Sequence, residues 1–563
     1  MTRFKQRGGN TTTTTKNIIA LVAGAGAAYF VVAIFLLASR LGEITEEKNG
    51  DDDRQRRSAR MGGGVEAGVG GPDRIIRPTA SIPNENSRNN DRLSFPPLPA
   101  RLMAEEMYGS EIVSNLLEHN EPTIAGIIAL LQRFLSQLHL LLVKDRDELR
   151  PEIVIREYID LVDAIIGPFE SAYRARSIFP IRDDDSIFIS IAAYRDHLLG
   201  ETLRQAFDTA AYPDKLYVGA VVQNCFGLGD VTCKTGVRVT GTNPDNGQPI
   251  TAISDKAPDV NGIEEFCTDP RYVRYCDSGQ IRVLYVNETE SNGPCQARYM
   301  ASKLWGGEMY YMQSDAHLRF VPEWDRLYID EIKATQSYPK AILSSYPPGF
   351  NIDDPLPIVN SESRGSRLCT CEFTNAPRTK HGIIRINSGR DCRKRGVLDK
   401  PYQTAYIAAG FFFTRSEFLT YVPFDPYLPW IFMGEEIALS LRAWTHGWDI
   451  YAPRRDYIVH QYRPGSMGLP KFWENTMRVF SGRRAFDDSL SHVIIDRIKY
   501  MVGYEGSDEA SIAKQEKSFI LTNLDHYGPG DIRSVQEFLD HTGIDMINES
   551  CNYIEWCNEC DLP

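Results

Sequence analysis

From about residue 183 the chain alternates short apolar runs with amphipathic ones, and this alternation constrains the fold more than any other feature. SIFISIAAY, LYVGAVVQN, IRVLYVN (after a long insertion) and EMYYMQSD read as buried strands. HLLGETLRQAFDTAA and CQARYMASKLW, set between them, read as helices. Strand, helix, strand in this order predicts an α/β architecture, a Rossmann-like and mostly parallel sheet with helices on its faces. Ligands of such sheets bind beyond the carboxyl ends of the strands. Two polar tripeptides fall there, Tyr194-Arg195-Asp196 and Asp315-Ala316-His317, and are expected to face one crevice. No G-x-G-x-x-G opens the first helix and no P-loop is present, which argues against a dinucleotide cofactor.

Each motif has a chemical reading and a plainer one. Asp315 and His317 alternate, so an extended backbone points both side chains the same way. A carboxylate and an imidazole there can share a divalent metal, whose open edge can hold a diphosphate; yet a three-residue pattern also arises by chance. Arg195 can hold a pyrophosphate and Asp196 can bind a uracil or ribose group. Alternatively, Asp196 caps the next helix and Arg195 is its surface partner. Arg298, one turn into the helix that follows Gly293-Pro294, can reach the same crevice or sit solvated. Glu435 and Glu436 open a helix, where the dipole favours acids, and Gly447 ends it. Trp444 and His446, with Trp448, cluster at its far end and suit sugar or acceptor binding as well as a core. His460, in YIVHQYRP, follows a strand-like stretch and is a candidate third metal ligand or a structural histidine.

The wider chain supplies context. Residues Ile18 to Leu37 are continuously apolar, long enough to cross a bilayer and longer than a signal-peptide core. Arg3, Lys5, Arg7 and Lys16 precede the run without an acid, which favours a cytosolic N-terminus and a lumenal remainder. All eleven cysteines follow it, so an oxidising compartment would pair most of them as disulfides. Cys369-x-Cys371 and Cys557-x-x-Cys560 are alternatively zinc half-sites. Asn287 and Asn548 begin glycosylation sequons. A net charge of −13 argues against general nucleic-acid binding. The expected organisation is a cytosolic tail (1–17), a transmembrane anchor (18–38), a disordered stem (39–100), a helical segment (101–180), a catalytic domain (181–480) and an extension (481–563). The helical segment, broken near Pro151, either packs on the next domain or forms a dimer coil.

Together SIFISIAAYRD, GPCQARYMASKLWGGEMYYMQSDAHLRFVPEWD, AGFFFTRSEFLTYVPFDPYLPWIFMGEEIALSLRAWTHGWDIYAP and HQYRP resemble, in content and order, the polypeptide α-N-acetylglucosaminyltransferases. That group includes cytosolic enzymes acting on hydroxyproline of a ubiquitin-ligase subunit; the mucin-type α-N-acetylgalactosaminyltransferases are more distant relatives. YGPGDIRSVQEFLDHTGID is similar to the group's C-terminal segment. The resemblance implies a GT-A fold, UDP-GlcNAc as donor, Mn2+ or another divalent cation, and retention of the α configuration. It implies Asp315, His317 and His460 as metal ligands, and Tyr194, Arg195, Asp196 and Arg298 at the nucleotide-sugar site. Glu435 and Glu436 match the acidic pair near sugar and acceptor, with double displacement and front-face attack both open. Ala316 stands where the group's motif usually has serine. The anchor departs from the cytosolic members, so Golgi placement and a Ser or Thr acceptor are expected ahead of hydroxyproline. UDP-GalNAc or another UDP-sugar as donor is the alternative, as is a non-catalytic lumenal sugar-binding scaffold.

Overall fold

The computed structural model describes residues 116, 122–143, 150–227, 232–243, 247, 249–353, 366–374, 383–387, 400–462, 471–472 and 484–558. All lie in the unit Ile82–Pro563. The apolar run 18–37, the expected stem, Cys392 and Cys560 lie outside the described residues.

Among the described residues, eight strands build the central sheet: β1 Ile187–Tyr194, β2 Leu216–Asn224, β3 Ile281–Asn287, β4 Tyr310–Ser314, β5 Ala341–Ser344, β6 Tyr402–Gln403, β7 Phe411–Arg415 and β8 Asp449–Ala452. Their spatial order is β6-β8-β5-β7-β4-β1-β2-β3. The run β3-β2-β1-β4 is parallel, as is β8-β5. β7 opposes both β4 and β5, and β6 opposes β8. The expected mostly parallel sheet is therefore present, with reversed strands in the half beyond β4.

Both faces are covered, which is why the strands read as continuous apolar runs rather than alternating ones. Ile189, Ile191 and Ala193 of β1 enter one core and Phe188 the other. Likewise Tyr310 and Met312 oppose Tyr311 in β4, and Phe411 and Phe413 oppose Phe412 in β7. Gly219 in β2 has a steric reason: a Cβ there would lie 2.2 Å from the Phe188 ring.

The main helices are α1 Ile124–Val143, α2 Pro151–Ile165, α3 Leu199–Thr209, α4 Pro294–Ser302, α5 Trp324–Lys333, α6 Glu435–Thr445, α7 Arg484–Val502 and α8 Val535–Thr542. α3 and α5 cover one face, and α1, α2, α4, α6, α7 and α8 share the core of the other. Ile124–Leu142 is long and apolar enough to cross a membrane by composition, yet Leu130, Phe134 and Leu138 of it are buried in that core. Of the two fates open to the helical segment, packing on the sheet domain is the one observed. Tyr158 donates to the carbonyl of Pro426 at 3.1 Å and its ring meets Trp430 at 5.6 Å. Glu170 accepts from Tyr299 at 2.6 Å and Tyr527 at 2.9 Å and pairs with Lys303 at 2.6 Å.

Among the described residues four disulfides form: Cys225–Cys233, Cys267–Cys276, Cys369–Cys557 and Cys371–Cys551. The last two take up Cys369, Cys371 and Cys557 of the alternative zinc half-sites, and they tie the strand Thr370–Thr374 and the residue before it to the C-terminal segment. Cys295 is a buried free thiol.

Candidate active site

The site is assembled where β1 and β4 end and β7 begins. β4 hands directly into Asp315, whose N–H donates to the carbonyl of Gly410 at 3.1 Å, just ahead of β7. Gly410 allows that approach, since a Cβ would stand 3.0 Å from Asp315 Oδ2. Beyond Asp315 and His317 the short strand Leu318–Phe320 pairs antiparallel with Ile458–His460, in a register that sets His460 opposite Leu318. This pairing carries His460 across 143 residues of chain to the side of His317, with ring centroids 4.7 Å apart.

Asp315, His317 and His460 offer ligand atoms within 4.8 Å of one another. His460 Nε2 is 3.0 Å and His317 Nε2 3.9 Å from Asp315 Oδ2. His317 Nδ1 lies 2.7 Å from Asp196 Oδ2. A carboxylate only accepts, so His317 donates from Nδ1 and its Nε2 keeps the lone pair directed at Asp315. Two imidazoles and a carboxylate suit a first-row divalent ion. The Asp315 side chain retains 24% of its surface against 13% and 11% for the two histidines, so the cluster opens on its carboxylate side. Burial lowers the pKa of both histidines against the pull of Asp315, favouring the neutral, ligating form. Burial alone would raise Asp315, but the His460 hydrogen bond and the neighbouring His317, His460 and Arg298 side chains hold it well below the usual carboxylate range.

Arg298, on α4, links this cluster to the acidic pair. Its guanidinium pairs with Glu435 and stands 3.2 Å from Asp315 Oδ1. Glu435 and Glu436 open α6 behind Gly434, whose φ of 99° lets the loop turn sharply into the helix. Burial raises both carboxyls, opposed at Glu435 by Arg298 and at Glu436 by the Ala409 N–H and the Tyr346 hydroxyl. Glu436 Oε1 accepts from Tyr346 at 2.7 Å and from Ala409 N–H at 3.0 Å.

The other candidate positions fall differently. Asp196 faces His317, while its Oδ1 also accepts the Leu198 N–H at 2.9 Å near the start of α3, so helix-start and site contacts coexist. Arg195 is not a surface partner: its side chain is fully buried, 2.6 Å from Asp259 and 2.6 Å from Glu288. Tyr194 ends β1 beside these residues. Trp444 and His446 are not brought to the cluster. They sit at the far end of α6, about 14 Å along the helix axis from Glu435, where Trp444 stacks on His541 at 5.2 Å beneath Arg533 and His446 Nδ1 lies 2.7 Å from the Arg442 carbonyl. Tyr346, Asp259, Glu288 and Tyr462, whose ring meets His460 at 4.2 Å, were not singled out by sequence. No local pattern marks them, because each meets its partner through tertiary contact.

The described residues thus form an α/β domain with a mostly parallel sheet and an Asp-x-His cluster at its strand ends. Residues 186–548 match the family described as Glycosyltransferase (GlcNAc), and the chain belongs to that family. The family is one of glycosyltransferases. No curated relative matches it in sequence. Among solved structures, GalNAc-T7 with UDP, GalNAc and Mn2+ shares 14% identity over 63% of this chain and 56% of its own, with a TM-score of 0.34. S. aureus TarS 1-349 in complex with UDP shares 13% identity over 61% of this chain and 89% of its own, with a TM-score of 0.27. The chain thus spans just over half the length of the GalNAc-T7 chain.

Proposed function

We propose that this glycosyltransferase moves N-acetylglucosamine from UDP-GlcNAc to a hydroxyl of a protein acceptor, with retention, using Mn2+ or a similar ion. The observation that carries this reading is the convergence of Asp315, His317 and His460, with Arg298 joining them to Glu435. Asp315, His317 and His460 would hold the ion, which supplies positive charge to the departing diphosphate. Asp196 fixes the ring of His317 so that Nε2 stays directed inward. Arg298 places a fixed cation between Asp315 and Glu435, where it would add to the ion's stabilisation of charge on a leaving UDP. Tyr346 and the Ala409 N–H hold Glu436, and Arg298 holds Glu435, so both acids are fixed in place; in this reading they serve sugar and acceptor.

The four disulfides among the described residues support an oxidising compartment, and the apolar run 18–37 supports an anchor there. A Golgi membrane enzyme with a lumenal catalytic domain, acting on Ser or Thr, fits both. The test is UDP release by the detergent-solubilised full chain from UDP-GlcNAc and UDP-GalNAc, with and without Mn2+, over Ser/Thr and hydroxyproline peptides. Mn2+-dependent, peptide-stimulated release from UDP-GlcNAc is expected, and Asp315→Ala should lower it by at least about 100-fold. Release from UDP-GalNAc alone would transfer the reading to that donor; turnover unchanged in Asp315→Ala would refute the metal assignment.

A further inference from the structure

A positively charged residue at the end of β1 invites a phosphate-binding role, but the surroundings of Arg195 do not leave its charge available. Arg195 Nε lies 2.6 Å from Asp259 Oδ2 and Nη2 3.2 Å from Oδ1, a two-pronged pairing, while Nη1 lies 2.6 Å from Glu288 Oε2. The Arg195 side chain is 0% exposed, Asp259 6% and Glu288 2%, so the contacts are not a solvated surface pair. Lys256 adds a second cation to Asp259 at 2.5 Å. Two cations meet two carboxylates and the cluster is neutral.

The partners show what this cluster fastens. Asp259 closes the neck of the excursion that leaves β2 at Cys225. Its Oδ2 accepts the Cys225 N–H at 2.7 Å, and its own N–H donates to the Cys225 carbonyl at 2.9 Å. Glu288 follows β3 directly. Arg195 therefore ties together the carboxyl ends of β1 and β3 and the neck of the excursion beyond β2. Its backbone is held in a left-handed conformation with φ of 48°, and its N–H donates to the Gln223 carbonyl at 3.0 Å. A non-glycine residue is kept there only where its surroundings over-determine it. The very next residue is Asp196, the partner of His317 Nδ1.

We infer that Arg195 is a positioning residue, which pins the chain reversal after β1 so that Asp196 can hold His317 for the metal. This rests on the proposed metal reading. The neck of the excursion, at Cys225 and Asp259, then bears on the metal site through Arg195.

The experiment is calorimetric titration of Mn2+ and, separately, of UDP without metal, into the full chain and the variants Arg195→Lys, Asp259→Asn and His317→Ala, with Tm measured for each. Arg195→Lys keeps the charge and loses the fork; Asp259→Asn keeps the shape and loses the pairing. Both are expected to weaken Mn2+ about 10-fold or more, as loss of outer support for a ligand does, with metal-free UDP affinity unchanged. Weaker metal-free UDP binding in Arg195→Lys, with Mn2+ affinity intact in Asp259→Asn, would overturn the inference and make Arg195 a diphosphate ligand. If the wild-type chain binds no Mn2+, or His317→Ala binds it equally well, the metal reading itself fails.

Discussion

Asp196 shows how much one side chain can decide. Its two oxygens serve the start of α3 and the ring of His317. Replacing it by asparagine keeps the size and lets an amide group face a nitrogen that must carry a proton. Asp196→Asn should therefore lower Mn2+ affinity by about 10–100-fold while moving Tm little. An unchanged titration isotherm would show that His317 is oriented by packing alone. Glu170 is the residue-scale case for pH. Burial would raise its carboxyl, but Lys303 and the hydroxyls of Tyr299 and Tyr527 outweigh that and lower it below the ordinary glutamate value of 4.5. A lowered folded value means the unfolded chain takes the proton first, so the stabilisation is present above 4.5 and is lost as pH falls through the lowered value. The Tm gap between wild type and Glu170→Gln should be widest near neutral pH and close in acid as the pH falls through the lowered value; a pH-independent gap would show that packing, not charge, accounts for it.

At the scale of elements, the turn into α6 sets the acids. Gly434 has φ of 99°, and a Cβ there would lie 3.0 Å from Ile498 and 3.1 Å from Ile383. Those residues belong to α7 and to the strand Ile383–Asn387, so the helix start is wedged between two other elements. Gly434→Ala should cost about 1–2 kcal/mol from its backbone conformation alone, seen as a lower Tm, and should reduce turnover by shifting Glu435. A variant with unchanged Tm and turnover would show that the loop has room to relax. The short pairing of Leu318–Phe320 with Ile458–His460 plays the matching part for the metal cluster. α6 also explains why Trp444 and His446 stand apart: a rigid helix separates its two ends however close they lie in sequence.

Across the whole molecule, the C-terminal segment is closed onto the sheet domain by two nested bridges, Cys369–Cys557 and Cys371–Cys551, with sequence separations of 188 and 180. With either intact, the other closes only a short loop. In the chain-entropy account, losing one should cost about 2–3 kcal/mol and losing both about 7–8. Thermal unfolding of Cys369→Ser/Cys557→Ser, of Cys371→Ser/Cys551→Ser and of the quadruple variant checks this. Additive, equal losses would sink the nested-loop argument. The C-terminal region also reaches the helical segment, where Tyr527 donates to Glu170, and residues of both pack on one core.

Local pattern determined the β-α alternation, the polar residues at the strand ends and the Asp315-His317 pair, because strand and helix periods and a two-residue spacing are properties of contiguous chain. Acids at the start of α6 and a glycine at its end were legible for the same reason. Tertiary structure decided which side chains share a charge. It brought His460 to Asp315 through a strand register, consumed the charge of Arg195 with Asp259 and Glu288 from distant loops, and gave Glu436 to Tyr346. Electrostatic partnership falls off over a few ångströms of space and takes no account of distance along the chain.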